Sequence, residues 1–193
     1  LTTAPSHSST TLQNLTAVHD FLFFDKLVQL NGVWVRQLWK SDGTVEGTVP
    51  INPPTAPDGF QKLKSFIQVG EELFFFVNSG VELWKSDGTP EGTRLVKTIN
   101  PTDDLNFETL GVVGGKLIFL SDYTTGQELW ISDGTTDGTE LLKDINPSGG
   151  IYISGNPIVA NNNLFMSLYD GTHGHELWRT DGTANGTYLV KDI

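Results

Sequence analysis

Three residues near the C-terminal end carry the side chains best suited to chemistry: Asp170, His173 and His175. Two imidazoles one residue apart, with a carboxylate nearby, can ligate a transition metal. A metal centre normally brings a complete ligand set and groups that orient it, and this trio sits in a stretch that varies between otherwise similar parts of the chain, so it reads as an exposed loop. Ca2+ suits the oxygen donors better than zinc suits the histidines: Asp103, Asp104, Asp122 and Asp170 are hard ligands, although no full D-x-D-x-D-G loop accompanies them. Covalent catalysis finds little material, because cysteine is absent, no G-x-S-x-G elbow occurs and there are only four histidines. A glycosidase needs a particular pair of carboxylates flanking one bond, whereas the Asp and Glu residues here recur at equivalent places. With no nucleophile, base and oxyanion donors in one constellation, the chain is expected not to be an enzyme. Trp34, Tyr123, Tyr152 and Tyr169 are the better candidates for binding, since flat aromatic rings stack on sugars and dominate protein contacts.

A phrase that returns four times must position these residues: QLWKSDGTVEGT from Gln37, ELWKSDGTPEGT from Glu82, ELWISDGTTDGT from Glu128 and ELWRTDGTANGT from Glu176. Subtracting positions, its tryptophans Trp39, Trp84, Trp130 and Trp178 recur at intervals of 45, 46 and 48 residues. Such a period marks units that bury their apolar faces against one another. Within the phrase, Asp42, Asp87, Asp133 and Asp181 can accept hydrogen bonds from the amides beyond them, and Gly43, Gly88, Gly134 and Gly182 can take the positive φ of a tight turn. The second glycines, at 47, 92, 138 and 186, are expected to carry a bulge or a left-handed corner. Leu and Trp point to opposite sides of their strand, so each indole is expected to fill a layer between units, with Glu82, Glu128 or Glu176 bonding the indole or the turn.

The third unit shows the elements most clearly. Runs at 107–113, 116–121, 127–132 and 139–145 are rich in branched and aromatic residues and are separated by Gly-Gly, a polar loop and the S-D-G-T turn. The other units share the same grammar and no amphipathic helix competes, so the chain is expected to be all-β. Four short strands in about 40–45 residues match one blade of a β-propeller. The expectation is a flexible tail at 1–11 and a propeller domain at 12–193, with four four-stranded blades at about 12–52, 53–100, 101–146 and 147–193. The alternative is part of a larger propeller ring, because no strand is shared between the two ends. Recognition is expected in the segments that differ between units, at 25–36, 78–81, 122–127 and 169–175.

Twelve Lys and Arg against 23 Asp and Glu give a net charge of -11, which repels nucleic acid and anionic membrane surfaces. No apolar run approaches the ~20 residues of a spanning helix. The opening LTTAPSHSSTT is small, polar and Pro-bearing, as is usual just after a removed signal peptide, so export is expected.

The four in-phase copies, covering about 12–193, resemble the ELWxxDGT repeat family of predicted secreted and surface proteins of bacteria. The resemblance implies a β-propeller-like fold and an extracellular setting, and supplies no catalytic residues. The first unit departs from it: Gln37 replaces glutamate, Val33-Trp34-Val35-Arg36 replaces a polar loop, and Val49-Pro50-Ile51 replaces the LVKDI-like strand. The function expected is a non-catalytic extracellular module binding a glycan or protein partner. The alternative is a structural subunit of a surface layer, filament or larger extracellular assembly, able to self-associate.

Overall fold

Short runs of branched and aromatic residues, each cut by Gly, Asn or Asp, leave the chain hairpins as its way of pairing backbone groups. The computed structural model describes residues 11–56, 58–78, 82–99, 107–122 and 126–193, and no α-helix occurs among them. The first unit holds β1 (Leu12–Val18), β2 (Phe21–Leu30), β3 (Val33–Ser41) and β4 (Val49–Ile51). The second holds β5 (Leu63–Val69), β6 (Glu72–Val77), β7 (Glu82–Ser86) and β8 (Arg94–Thr98). In the third are β9 (Phe107–Val113), β10 (Lys116–Asp122), β11 (Gln127–Ser132) and β12 (Thr139–Lys143), and in the fourth β13 (Tyr152–Ala160), β14 (Asn163–Tyr169), β15 (His175–Thr180) and β16 (Tyr188–Lys191). Each unit is one four-stranded sheet whose strands pair antiparallel in chain order. Among the described residues no helix is long and apolar enough to cross a membrane.

The apolar core divides into three layers, one between each pair of successive sheets. Phe23, Leu38 and Ile51 of the first sheet meet Leu73, Phe75 and Trp84 of the second. Phe74, Phe76, Leu83 and Val96 on the other side of that sheet meet Leu117, Phe119 and Trp130. Ile118, Leu120, Leu129 and Ile131 then meet Leu164, Met166 and Trp178. A middle sheet is therefore covered on both sides, which is why Phe74, Phe75 and Phe76 can be buried in succession without alternation. In each of the last three phrases Trp faces the preceding sheet. Leu83 and Leu129 face the next one. Backbone contact between sheets concentrates at the first strands, β1 with β5, β5 with β9, and β9 with β13.

Three features differ from the sequence reading. Residues 25–36 are no loop: β2 and β3 pair continuously from Leu22–Ser41 to Leu30–Val33 and turn at Asn31-Gly32, both with positive φ. Their inward end is held by buried Asp25, which accepts hydrogen bonds from Arg36 at 2.9 Å and Asn14 at 2.8 Å. Burial raises the Asp25 carboxyl above its ordinary value against the pull of those two donors. The second glycines of the phrase are not among the positive-φ positions. The irregularity expected there lies deeper in the last strand, opposite Leu83-Trp84, Leu129-Trp130 and Leu177-Trp178. The last strand of the third unit ends at Lys143 rather than 145, since the Ile145 amide leaves the ladder and donates to Glu128 Oε2 at 3.3 Å.

Candidate recognition surface

The S-D-G-T turn is the rigid frame on which everything else is mounted, and it is built alike four times. In the third unit the Gly134 amide donates to Ser132 Oγ at 3.1 Å, and the Thr135 amide and hydroxyl donate to Asp133 Oδ1 at 2.9 and 2.7 Å. The Gly138 amide donates to Thr135 Oγ1 at 2.9 Å, and Thr139 Oγ1 donates to the Thr135 carbonyl at 2.7 Å. The hydroxyl and amide of Thr44 hold the Asp42 carboxyl below its ordinary value, and those of Thr135 do the same to Asp133. All four first glycines have φ between 83° and 90°, a region that costs an L residue roughly 1–3 kcal/mol. The second glycine is needed for a different reason: a Cβ on Gly138 would stand 2.1 Å from Asp133 Oδ1. These aspartates and glycines thus serve the turn itself.

The glutamates of the phrase divide. Trp84 Nε1 donates to Glu82 Oε2 at 2.9 Å, and in the first unit Trp39 Nε1 donates to Gln37 at 3.1 Å. Glu128 and Glu176 turn the other way and accept the amides of Ile145 and Ile193, at 3.3 and 2.8 Å. Glu128 is 1% exposed, and burial, with Asp144 adding repulsion against the one amide bond, pushes its carboxyl up to about 7.

Aromatic candidates fall in two places. Trp34 lies at the tip of the β2–β3 hairpin opposite Gln29 and is 49% exposed. Beside that tip runs a cleft lined by Leu30, Val33, Val35, Asp58 and Gln61. Tyr152 and Tyr169 pair across β13 and β14 with ring centroids 6.1 Å apart, and Tyr169 meets the His175 ring across β14 and β15 at 5.6 Å. The three rings make one strip across three strands at the β14–β15 end, with Tyr152 58% exposed. Tyr123 and the pair Asp103 and Asp104 lie outside the described residues.

The loop joining β14 and β15 is closed by Asp170. Its Oδ1 accepts the Thr172 and His173 amides at 2.9 and 2.8 Å, and its Oδ2 meets His173 Nδ1 at 2.7 Å. Burial alone would raise the Asp170 carboxyl, but the His173 amide and ring and the Thr172 amide outweigh it and hold it at about 2. The same contact raises the His173 imidazole above its ordinary value. His175 stands apart from this carboxylate, with Nδ1 3.4 Å from Ser154 Oγ. The two histidines and Asp170 are therefore not gathered around one point, and no group of three or more His, Cys, Asp or Glu able to hold a metal occurs among the described residues.

One pair of crossing side chains escaped the sequence reading. Lys97 Nζ crosses to the next sheet's turn and donates to the carbonyls of Thr136 and Thr139 at 3.2 and 2.6 Å, and Lys143 Nζ does the same to Ala184 and Thr187 at 3.3 and 2.6 Å. The signal is present as the lysine shared by RLVKT, ELLKD and YLVKD. No protein-family model matches the chain and no curated protein matches it.

Proposed function

We propose that this chain is a non-catalytic extracellular module of β-propeller type that binds a glycan through the strip Tyr152–Tyr169–His175. The observation that carries the reading is the strip itself: three rings in contact across three paired strands, beside the Ser154 hydroxyl. Rings fixed by a sheet stack on a sugar at little cost in conformational freedom. Recognition rather than chemistry also agrees with how the carboxylates are used, in turns and at strand ends. The radial arrangement is supported by first strands lying side by side from sheet to sheet. The ELWxxDGT resemblance supports the extracellular setting.

Screening the protein on a glycan array tests this, with Tyr152→Ala and Tyr169→Ala as companions. Saturable binding that falls about tenfold or more in both variants is expected, equivalent to ~1.4 kcal/mol. Binding that survives both changes, or a bound protein partner insensitive to them, overturns the assignment of the strip. A second reading, a structural subunit of a larger assembly, is favoured by a separate observation: apolar side chains stay exposed on the first and fourth sheets, among them Leu15, Leu22, Ile158 and Tyr188.

A further inference from the structure

All three internal junctions share one contact and the second and third share another, and the fourth and first sheets expose the corresponding halves. The first contact is a glycine turn resting on the preceding sheet. A Cβ on Gly88 would lie 3.2 Å from Phe23 Cζ and 3.4 Å from Lys40 Cδ, one on Gly134 would lie 2.7 Å from Phe74 Cζ and 3.3 Å from Lys85 Nζ, and one on Gly182 would lie 3.4 Å from Ile131 Cδ1. The residues beneath the first two turns are cross-strand partners, Phe23 with Lys40 and Phe74 with Lys85, and Ile131 beneath the third holds the place of Lys40 and Lys85, paired with Ile118. The second contact is the lysine that reaches two carbonyls of the next turn, from Lys97 and again from Lys143.

On the fourth sheet the corresponding partners are Phe165 and Arg179. Both are only half-buried, and Leu177, Tyr188 and Lys191 beside them are exposed. On the first sheet the corresponding turn is exposed at Gly43, which has no described atom within 4 Å of a Cβ position, and Val45 beside it is 87% exposed. Leu22, whose counterparts Leu73, Leu117 and Leu164 are fully buried, is 37% exposed.

We infer that the outer face of the fourth sheet, at Phe165, Leu177, Arg179, Tyr188 and Lys191, docks the Gly43 turn and outer face of the first sheet of a second copy of this chain. Lys191 then donates to the Val45 and Thr48 carbonyls of that copy as Lys143 does to Ala184 and Thr187. The contact is heterologous, one face meeting a different one, so it builds a closed ring of copies or a linear array. It deepens the assembly reading and does not depend on glycan binding. Since the chain carries a charge of -11, association should strengthen as salt screens repulsion between copies.

Sedimentation of the full chain and two variants tests the inference. Leu177→Asp with Tyr188→Asp blocks the fourth face, and Leu22→Asp with Val45→Asp blocks the first. The unchanged protein is expected to gain mass with concentration and salt. Each variant alone is expected to stay monomeric, and an equal mixture is expected to give a one-to-one heterodimer through the single junction left intact. A monomer at every concentration overturns both the inference and the assembly reading. A variant that dimerises with itself, or a mixture that stays monomeric while the unchanged protein assembles, overturns the inference alone. Should a doubly charged variant fail to fold by circular dichroism, the exposed single changes Lys191→Ala and Tyr188→Ser serve in its place, and association unaltered by both overturns the inference.

Discussion

Glu128 shows how one residue type in a repeated phrase acquires a property of its own. Its carboxyl is buried and accepts the Ile145 amide, and it is held up to about 7 in the fold against an ordinary value of 4.5. The folded state therefore keeps a proton that the unfolded chain has released between those two values. Stability contributed by this group is present below about pH 4.5, falls as pH rises toward about 7 and then levels. Glu128→Gln, which keeps an acceptor for the amide without the charge, should match the parent near about pH 4 and exceed its stability at about pH 8 by up to roughly 3 kcal/mol. Urea unfolding at the two pH values measures this, and a variant less stable than the parent at the higher pH would show that the buried carboxylate has partners favouring its charged form. Glu176, whose Oε2 takes a shorter amide bond from Ile193, lies in the fourth sheet, beside the exposed Leu177. Identical letters in the phrase thus diverge because their surroundings do.

At the scale of the element, the lysine of the last strand is the clearest case of position deciding worth. Lys143 spans a junction with two carbonyl partners, whereas Lys191 occupies the same place on the exposed outer side of the fourth sheet. Lys143→Ala should destabilise the dilute protein by about 1–3 kcal/mol, on the scale of hydrogen bonds from a charged donor, and Lys191→Ala by less than about 0.5 kcal/mol. Denaturation midpoints compare them directly, and equal losses would mean the crossing bonds contribute nothing. The strands themselves are legible in the sequence: 107–113 and 127–132 form as read, because Gly-Gly and S-D-G-T leave few places for the chain to turn. Long-range contacts are not. The β2–β3 hairpin reads as a loop because Val33-Trp34-Val35-Arg36 looks like an intrusion, while its inner end depends on Asp25, Arg36 and Asn14 meeting across three strands. Spacing alone gives the second glycine a backbone role, whereas its cause is the clash a Cβ would make with the Asp133 carboxylate folded back over the turn. Of the site residues, Tyr152, Tyr169 and His175 can be nominated singly, but their contact arises from strand register, which sequence spacing does not supply.

For the whole molecule, four sheets joined by three apolar layers leave the first turn and the fourth face without the cover their counterparts have. That asymmetry is the observation on which the inferred docking between copies rests. It also explains why the first and fourth sheets carry many of the exposed large apolar side chains while Phe74, Phe75 and Phe76 are buried. Amide hydrogen exchange at the first glycines of the four turns, measured in the dilute monomer, reads the difference most directly. Each of these amides donates to a Ser or Thr hydroxyl of its own turn, so differences among them report cover by the preceding sheet. Gly88, Gly134 and Gly182 should exchange slowly, and Gly43 fast, becoming protected only as the protein assembles. Protection of Gly43 equal to the other three in the dilute monomer would contradict an open run of units, because the first turn would then already be covered within a single chain.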